Sequence, residues 1–302
     1  MLHRQRTLLF FLHLAGGEAS RFNITKWSFL LSQEGDTHGG DAFYEFVPYK
    51  LGPFSFCLYQ EASSLAEQGL LADADENTWR LTNAGREAAL AAPTDVRNDS
   101  RRIHEKYGNK GRNALLDDLY PRYPQYTYLS TYKILARRPI SEPAVYTAGY
   151  EGLTVDGFLD LLVQKGIRRL IDVRHNPVAR RYGFHRSTLN RLCGNFDIDY
   201  LHVPELGIRS ELRQNLSTQE DRDRLFDRYE STTMVGALDE VRRIAALIME
   251  KASVLVCMEA HPCQCHRSRL ATAVADITKL PIRHLTSTWS PSLLPLFEAS
   301  AS

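Results

Sequence analysis

The sequence predicts an α/β protein: a parallel-sheet domain in the C-terminal half, preceded by a mostly helical domain. Three observations predict it. From Ala144 onward, short apolar strands alternate with helical patterns, the grammar of βαβ units. Before Leu90, helical periodicities lead into two short strands around a polar turn. Clusters of polar residues recur where the C-terminal strands end, the edge at which open α/β sheets bind ligands. At 302 residues the chain can bury two cores. The expected divisions are 1–92, a basic helical connector at 93–143, and an α/β domain at 144–302.

In the first division, Arg6–Ala15 reads as a helix ended by Gly16-Gly17. Thr25–Gln33 is a second, with Trp27, Leu30 and Leu31 at helical spacing. Phe54–Gln68 is a third, carrying Leu58, Ala62 and Leu65, with Gly69 as its C-cap. Leu70-Leu71 and Trp79–Leu81 flank the turn 73–78, and Thr82 caps Asn83–Leu90. This order is that of a winged helix-turn-helix. The stretch Tyr49–Ser55 resembles the approach to the recognition helix in winged-helix modules attached to toxin and phage-defence proteins. Leu115–Thr127, with Tyr120-Pro121 and Tyr123-Pro124, resembles the tail of those modules. Arg97, Arg101, Arg102, Lys106, Lys110 and Arg112 crowd the connector. They read either as a solvated helix face or as a phosphate-contacting surface.

In the last division, strands are expected at Ala144–Thr147, Arg169–Val173, Tyr200–Val203 and Ser253–Met258, with a short one at Ile282–Leu285. Thr154 caps a helix with apolar Val155, Phe158, Leu159, Leu162 and Val163. Further helices are expected at 217–229, Ala237–Lys251 and Arg267–Thr278.

Composition narrows the class. The chain is 43% apolar and 24% charged with net charge +1, so global charge announces no nucleic-acid partner. No window approaches the roughly eighteen apolar residues of a membrane span. Leu8–Leu14 follows a basic start as a signal peptide would, but reads equally as an amphipathic core helix. Five cysteines, three of them crowded near one strand end, make a poor disulfide framework and suit a reducing cytoplasm.

The chemistry gathers at the strand ends. Thr147, Gly149 and Tyr150 close the first strand, Asp172 and Arg174 the second, Pro204–Gly207 the third, and Cys257-Met258-Glu259 the fourth. A carboxylate ending the buried run Leu170-Ile171 needs a partner. Arg174, two residues on, points to the same side of a strand. The pair either pins the loop before Pro177 or serves as base and anion clamp. Two strand-end carboxylates, Asp172 and Glu259, can divide acid and base roles or stabilise an oxocarbenium-like centre; Glu259 can equally be a loop salt bridge. Cys263-Gln264-Cys265-His266 with Cys257 suggests a metal site, but Cys-x-Cys-His is too tight for a zinc knuckle and lacks a second pair, so no metal or other cofactor is expected. Cys265 could carry a thiolate at a helix start, or His266 and Arg267 could serve the cleft. The loop Arg180-Arg181-Tyr182-Gly183-Phe184-His185-Arg186 mixes cations with aromatics that can hold phosphates and stack on bases, or is an ordinary exposed loop.

Thr147-x-Gly149-Tyr150, Asp172-Val173-Arg174-x-x-Pro177, Leu206-Gly207, Cys257-x-Glu259 and Cys265-His266-Arg267 together resemble the family called domain of unknown function 488, over about Ala144 to Leu285. The resemblance implies a compact α/β domain with Asp172, Arg174, Glu259, His266 and Arg267 as site positions. One branch resembles an anti-phage DNA glycosylase that excises glucosylated hydroxymethylcytosine. Tyr150 stands where many members have His or Asn, and Cys263 is an additional cysteine.

The expectation is a DNA N-glycosylase that flips a modified cytosine out of double-stranded DNA and leaves an abasic site. Asp172, Glu259, His266 and Arg267 would be catalytic. Thr147, Gly149, Tyr150, Arg174, Arg180, Arg181, Tyr182, Phe184, His185, Arg186 and Cys265 would bind substrate. The alternatives are a metal-dependent nuclease and a non-enzymatic regulator. The expected third helix, 54–68, is nearly devoid of Lys and Arg, which weakens groove reading and leaves homodimerisation or shaping of the DNA path.

Overall fold

The computed structural model describes residues 1–213 and 218–286. The chain divides into two compact units. Met1–Pro139 and Thr154–Val163 form one; Ile140–Leu153 and the chain from Gln164 onward form the other.

The first unit opens with α1 (His3–Leu14), β1 (Glu18–Ser20) and α2 (Arg21–Glu34). A short hairpin follows, β2 (Val47–Tyr49) and β3 (Gly52–Phe54), then α3 (Phe56–Glu67), β4 (Leu71–Asp75), β5 (Thr78–Leu81) and α4 (Asn83–Leu90). Small polar residues set the helix starts. Ser20, Ser55 and Thr82 each accept a backbone N–H three residues on, from Asn23, Leu58 and Gly85. β1, β5 and β4 form an antiparallel sheet in that order. Phe54 belongs to the hairpin rather than to α3, because its partner Val47 takes it into a strand and the Ser55 cap starts the helix at Phe56.

The expected connector is not separate. It folds as α5 (Thr94–Tyr107) and α6 (Arg112–Arg122), and their Val96, Ile103, Tyr107, Leu115, Leu116 and Leu119 complete the core of Phe10, Trp27 and Phe29. Its cations are largely engaged within the protein. Arg102 pairs with Asp36 and Asp99, Lys106 with Glu34, and Lys110 with Asp118. Arg101 and Arg112 lie over the rings of Phe10 and Phe22. The apolar stripe was hard to read because charged residues fill the positions between.

The second unit contains β6 (Val145–Gly149), after which the chain contributes α7 (Val155–Gln164) almost wholly to the first unit. It continues with β7 (Arg169–Asp172), α8 (Arg186–Gly194), β8 (Asp199–His202), α9 (Gln219–Arg228), α10 (Leu238–Glu250), β9 (Ser253–Cys257), α11 (Arg267–Thr278) and β10 (Ile282–Leu285). The five strands pair in parallel in the order β10-β6-β9-β7-β8. Val145, Ile171 and Leu255 of the sheet share a core with Val241 and Ile244 of α10 and Leu270 and Val274 of α11. The helix expected from 217 begins at Gln219 behind a Thr218 cap; residue 217 itself lies outside the described residues. No helix among the described residues is long and apolar enough to cross a membrane.

Within the first unit, α7 does something its sequence did not announce. The fully buried Asp156 accepts hydrogen bonds from the backbone N–H of Phe56 and Cys57, both 2.8 Å, and from the Ser55 hydroxyl at 3.0 Å. It therefore caps α3 from another helix, satisfying donors that α3 cannot satisfy itself. Burial nonetheless pushes its carboxyl up to about 6, against the pull of those donors. A folded-state value above the ordinary 3.8 means that this group's contribution to stability is full below about pH 4 and is lost as pH rises through about 6. The stability difference between wild type and Asp156→Asn, followed by urea unfolding, is expected to move against the wild type by on the order of 3 kcal/mol between pH 4 and 7. A pH-independent difference would contradict this. Asp156→Ala is expected to cost about 2–4 kcal/mol near pH 4, since it leaves buried donors unmet, and less as pH rises through about 6.

Candidate functional site

The chain leaves β9 toward β10 on one side of the sheet and leaves β7 toward β8 on the other. Loops that diverge from adjacent strands open a crevice at their carboxyl ends. Asp172 ends β7 there with Arg174 just beyond it, and Cys257 ends β9 with Glu259 just beyond it. The strand ends are nearly level, with Gly149 opposite Cys257 and Asp172 opposite both Val256 and His202.

On the β7 side lies a closed ionic cluster. Asp172 is 0% exposed and Arg174 is buried. Arg174 grips the carboxylate with two prongs, Nε to Oδ1 at 2.8 Å and Nη2 to Oδ2 at 2.5 Å. The Arg174 backbone N–H donates to Oδ1 and the Tyr200 hydroxyl donates to Oδ2 at 2.6 Å, so each oxygen accepts two bonds. The remaining guanidinium nitrogen donates to the Tyr150 hydroxyl at 2.8 Å and the Phe184 carbonyl at 3.0 Å. Against the opposing effect of burial, the Asp172 carboxylate holds the Arg174 proton more tightly than usual. Burial, and then the Asp172 charge, push the Tyr200 hydroxyl well up, so it stays a donor. His202 Nε2 lies 2.8 Å from the Arg174 carbonyl and pins the turn.

On the β9 side a loop is clamped into place. Arg267, buried, donates from Nη1 to the Glu259 carbonyl and from Nη2 to that of Ala260. Glu151 accepts the Ala260 N–H at 3.0 Å. Gly149 lets this loop pass: a Cβ there would sit 1.8 Å from the Glu259 carbonyl oxygen. Gly207 plays the same part beneath the β7 loop, where a Cβ would meet the His175 nitrogen at 2.1 Å. The clamped loop presents the Glu259 side chain, 25% exposed, with one oxygen 3.3 Å from Arg213.

Behind Glu259 sits a thiol and imidazole cluster. Cys257, Cys265 and His266 are buried, and both sulfurs lie 3.9 Å from His266 Nδ1. His266 Nε2 is 3.2 Å from the Val173 carbonyl, and Tyr229 meets the ring edge-on. A hydrogen bond from Cys265, then the neighbouring His266, hold Cys257 well below the usual thiol range. Burial, then the charge of Cys257, raise Glu259. Cys257 Sγ and Glu259 Oε2 lie 3.2 Å apart.

The expected site residues divide sharply by access. Glu259 reaches the surface, whereas Asp172, His266 and Arg267, expected as catalytic, are buried with their polar atoms turned to the protein. Arg267 is a positioning residue for the Glu259 loop, not a partner for a departing base. Thr147 is buried with its hydroxyl 2.8 Å from His284 Nδ1 on β10, so it does not line an opening. Phe184 is fully buried and stacks on Tyr150 at 4.1 Å, so neither ring is presented to a base. Cys265 is likewise interior. Of the loop after β7, Arg180, Arg181, His185 and Arg186 are exposed and Tyr182 is half-buried, although Arg181 donates to the Leu153 carbonyl. Sequence spacing discounts a metal set, but the fold brings Cys257 from the strand end beside Cys265 and His266, their ligand atoms within 4.8 Å of one another. Tyr200 and His202 were missed; the signal was there, polar residues two apart on a strand beside Asp172. Arg213 and Tyr229 gave none. A cleft of about 1200 Å³ lies among His175, Glu205, Arg209, Arg228 and Arg242, with acids and cations mixed and without Glu259.

Residues 154–274 match the model of the family described as Domain of unknown function DUF488, less than half of the chain. The match starts after Thr147–Tyr150, so it is narrower than the resemblance over 144–285, yet it includes the Asp172, Gly207, Glu259 and Arg267 positions. No curated protein and no solved structure is matched by the chain.

Asp172→Ala is expected to cost about 3–5 kcal/mol in urea unfolding, because it strands a buried guanidinium. The double variant Asp172→Ala, Arg174→Met is expected to lose less than the two single variants summed. Near-wild-type stability of Asp172→Ala would show that the pair does not hold the β7 turn.

Proposed function

We propose that the chain is a nucleic-acid base-processing hydrolase, a DNA N-glycosylase acting on a modified cytosine, with Glu259 as the reacting carboxylate. The observation that carries the reading is the contrast between the two strand-end acids. Asp172 has both oxygens saturated behind protein, while Glu259 is held at the crevice mouth by its clamped backbone with its carboxylate partly open. A carboxylate so placed stabilises positive charge at the anomeric carbon and orients water as the glycosidic bond breaks. Asp172 and Arg174 then act through position, keeping the β7 turn beside it. Arg180, Arg186 and His185 at the rim supply exposed groups for phosphates.

The first unit supports the DNA part of the reading. Helix, strand, helix, a short hairpin, helix and a two-stranded turn, with β5 between β1 and β4, match the winged-helix order apart from the inserted hairpin. α3 itself contains no Lys or Arg. A cleft of about 690 Å³ whose lining includes Arg21, Lys50 and Arg112 offers backbone contact instead of base reading. The substrate assignment, glucosylated hydroxymethylcytosine in phage DNA, rests on the resemblance of residues 144–285. The nuclease alternative loses its first ligand, because a metal at Asp172 would have to displace Arg174 and Tyr200.

The test is to incubate the full chain with duplexes carrying cytosine, hydroxymethylcytosine or its glucosylated form, without added magnesium or manganese. Released base is read by mass spectrometry and abasic sites by alkali cleavage. Release from the modified duplex alone is expected, falling about 10²–10⁴-fold in Glu259→Gln with little change in unfolding free energy. Strand breaks that need magnesium or manganese and no alkali would replace this reading with a nuclease. DNA binding without turnover would replace it with a regulator.

A further inference from the structure

We infer that Cys257, Cys265 and His266 form a binding site for a zinc-class divalent ion, with Glu259 beside its fourth coordination position.

The tautomer of His266 is the first argument. A carbonyl oxygen only accepts, so the 3.2 Å contact between His266 Nε2 and the Val173 carbonyl places the ring proton on Nε2. In the neutral ring, the form that binds a metal, the Nδ1 lone pair then faces the two sulfurs, each 3.9 Å away. Metal-bound histidines are oriented in this way, one nitrogen on the ion and the other donating to a carbonyl. Tyr229 against the ring edge holds the same orientation.

Spacing is the second. With zinc–sulfur bonds of about 2.3 Å and zinc–nitrogen bonds of about 2.0–2.1 Å, tetrahedral angles put sulfur and nitrogen about 3.6 Å apart and the sulfurs about 3.8 Å apart. The observed 3.9 Å separations need shifts of only a few tenths of an ångström. The three ligand atoms lie within 4.8 Å of one another.

Chemistry is the third. Two thiolates and an imidazole favour zinc over magnesium or calcium. Zinc binds the thiolate forms, whose two sulfur charges balance the ion. The site is built by fold rather than by a sequence knuckle: Cys257 ends β9, and Cys265 and His266 enter α11. Glu259 Oε2, 3.2 Å from Cys257 Sγ, supplies the carboxylate next to the remaining position. Three protein ligands and one open position are the pattern of zinc that activates water. The inference goes beyond the nucleic-acid reading and does not depend on it.

The experiment strips the full chain with a chelator under reducing conditions and titrates Co²⁺. One equivalent is expected to bind with tetrahedral visible bands and a sulfur-to-cobalt charge-transfer band, both displaced by Zn²⁺. Cys257→Ser and Cys265→Ser are expected to weaken uptake by more than the roughly 10–100-fold brought by loss of an outer-shell partner. Cys263→Ser, at an exposed cysteine outside the cluster, should leave it unchanged. X-ray absorption of zinc-loaded wild type needs no variant to fold, and should find two sulfurs at about 2.3 Å with lighter ligands at about 2.0 Å. No stoichiometric uptake, octahedral cobalt without the sulfur band, or a band that follows Cys263 would overturn the site. Cobalt bands without base release would sink the glycosylase reading alone; base release without metal uptake would sink this one alone.

Discussion

A carboxylate and a guanidinium removed from water tolerate no unfilled valence, and this demand organises the carboxyl edge of the sheet around Asp172 and Arg174. Desolvating two ions is repaid only by close geometry and further hydrogen bonds. The backbone N–H of Arg174, the hydroxyls of Tyr150 and Tyr200, and the carbonyl of Phe184 supply them. Each of these groups belongs to a different stretch of the second unit. Satisfying one ion pair therefore fixes the ends of β6, β7 and β8 and the loop toward α8 relative to one another. Stacking of Tyr150 on Phe184 closes the lid of that arrangement.

The neighbouring Glu259 loop is ordered by the opposite means. Its backbone is gripped by Arg267 and Glu151, and the absence of a side chain at Gly149 lets it approach more closely than any other residue allows. The side chain is what remains outside. A carboxylate on a held backbone, next to a buried sulfur and imidazole cluster, is a group with a defined position and an unusual electrostatic environment. The two halves of the crevice thus divide the labour, one locking and one presenting.

Much of this was legible in the sequence. Alternating strands and helices placed the parallel sheet, and Arg267–Thr278 and Ile282–Leu285 stand as expected, the helix because Leu270, Ala271 and Val274 fall at helical spacing and the strand because two apolar residues bracket a short run after Pro281. The polar residues at strand ends identified the right neighbourhood. Access was not legible: the same letters, Asp172 and Glu259, describe a sealed carboxylate and a half-open one, and only the surrounding packing separates them. Phe184 read as an exposed aromatic because it sits among arginines, yet the loop turns it inward. α5 and α6 read as a connector because charged side chains masked their apolar stripe. Cys257, Cys265 and His266 read as crowded but wrongly spaced for a metal, because knuckle spacing along the chain does not describe ligands that a strand end and a helix start bring together.

Asp156 has a consequence for where this protein can be divided. By chain order α7 belongs with the strands that flank it, and the family match begins at its first turn. By its bonds it belongs to the other unit, whose α3 it caps. A gene cut at residue 140 would therefore give two fragments that each misplace something. The upstream piece would carry a helix start with bare N–H groups, and the downstream piece would carry a carboxylate whose hosts had been left behind. The natural seam of the molecule is not a point along the chain, and an exchange of modules between such proteins would have to move α3 and α7 as one.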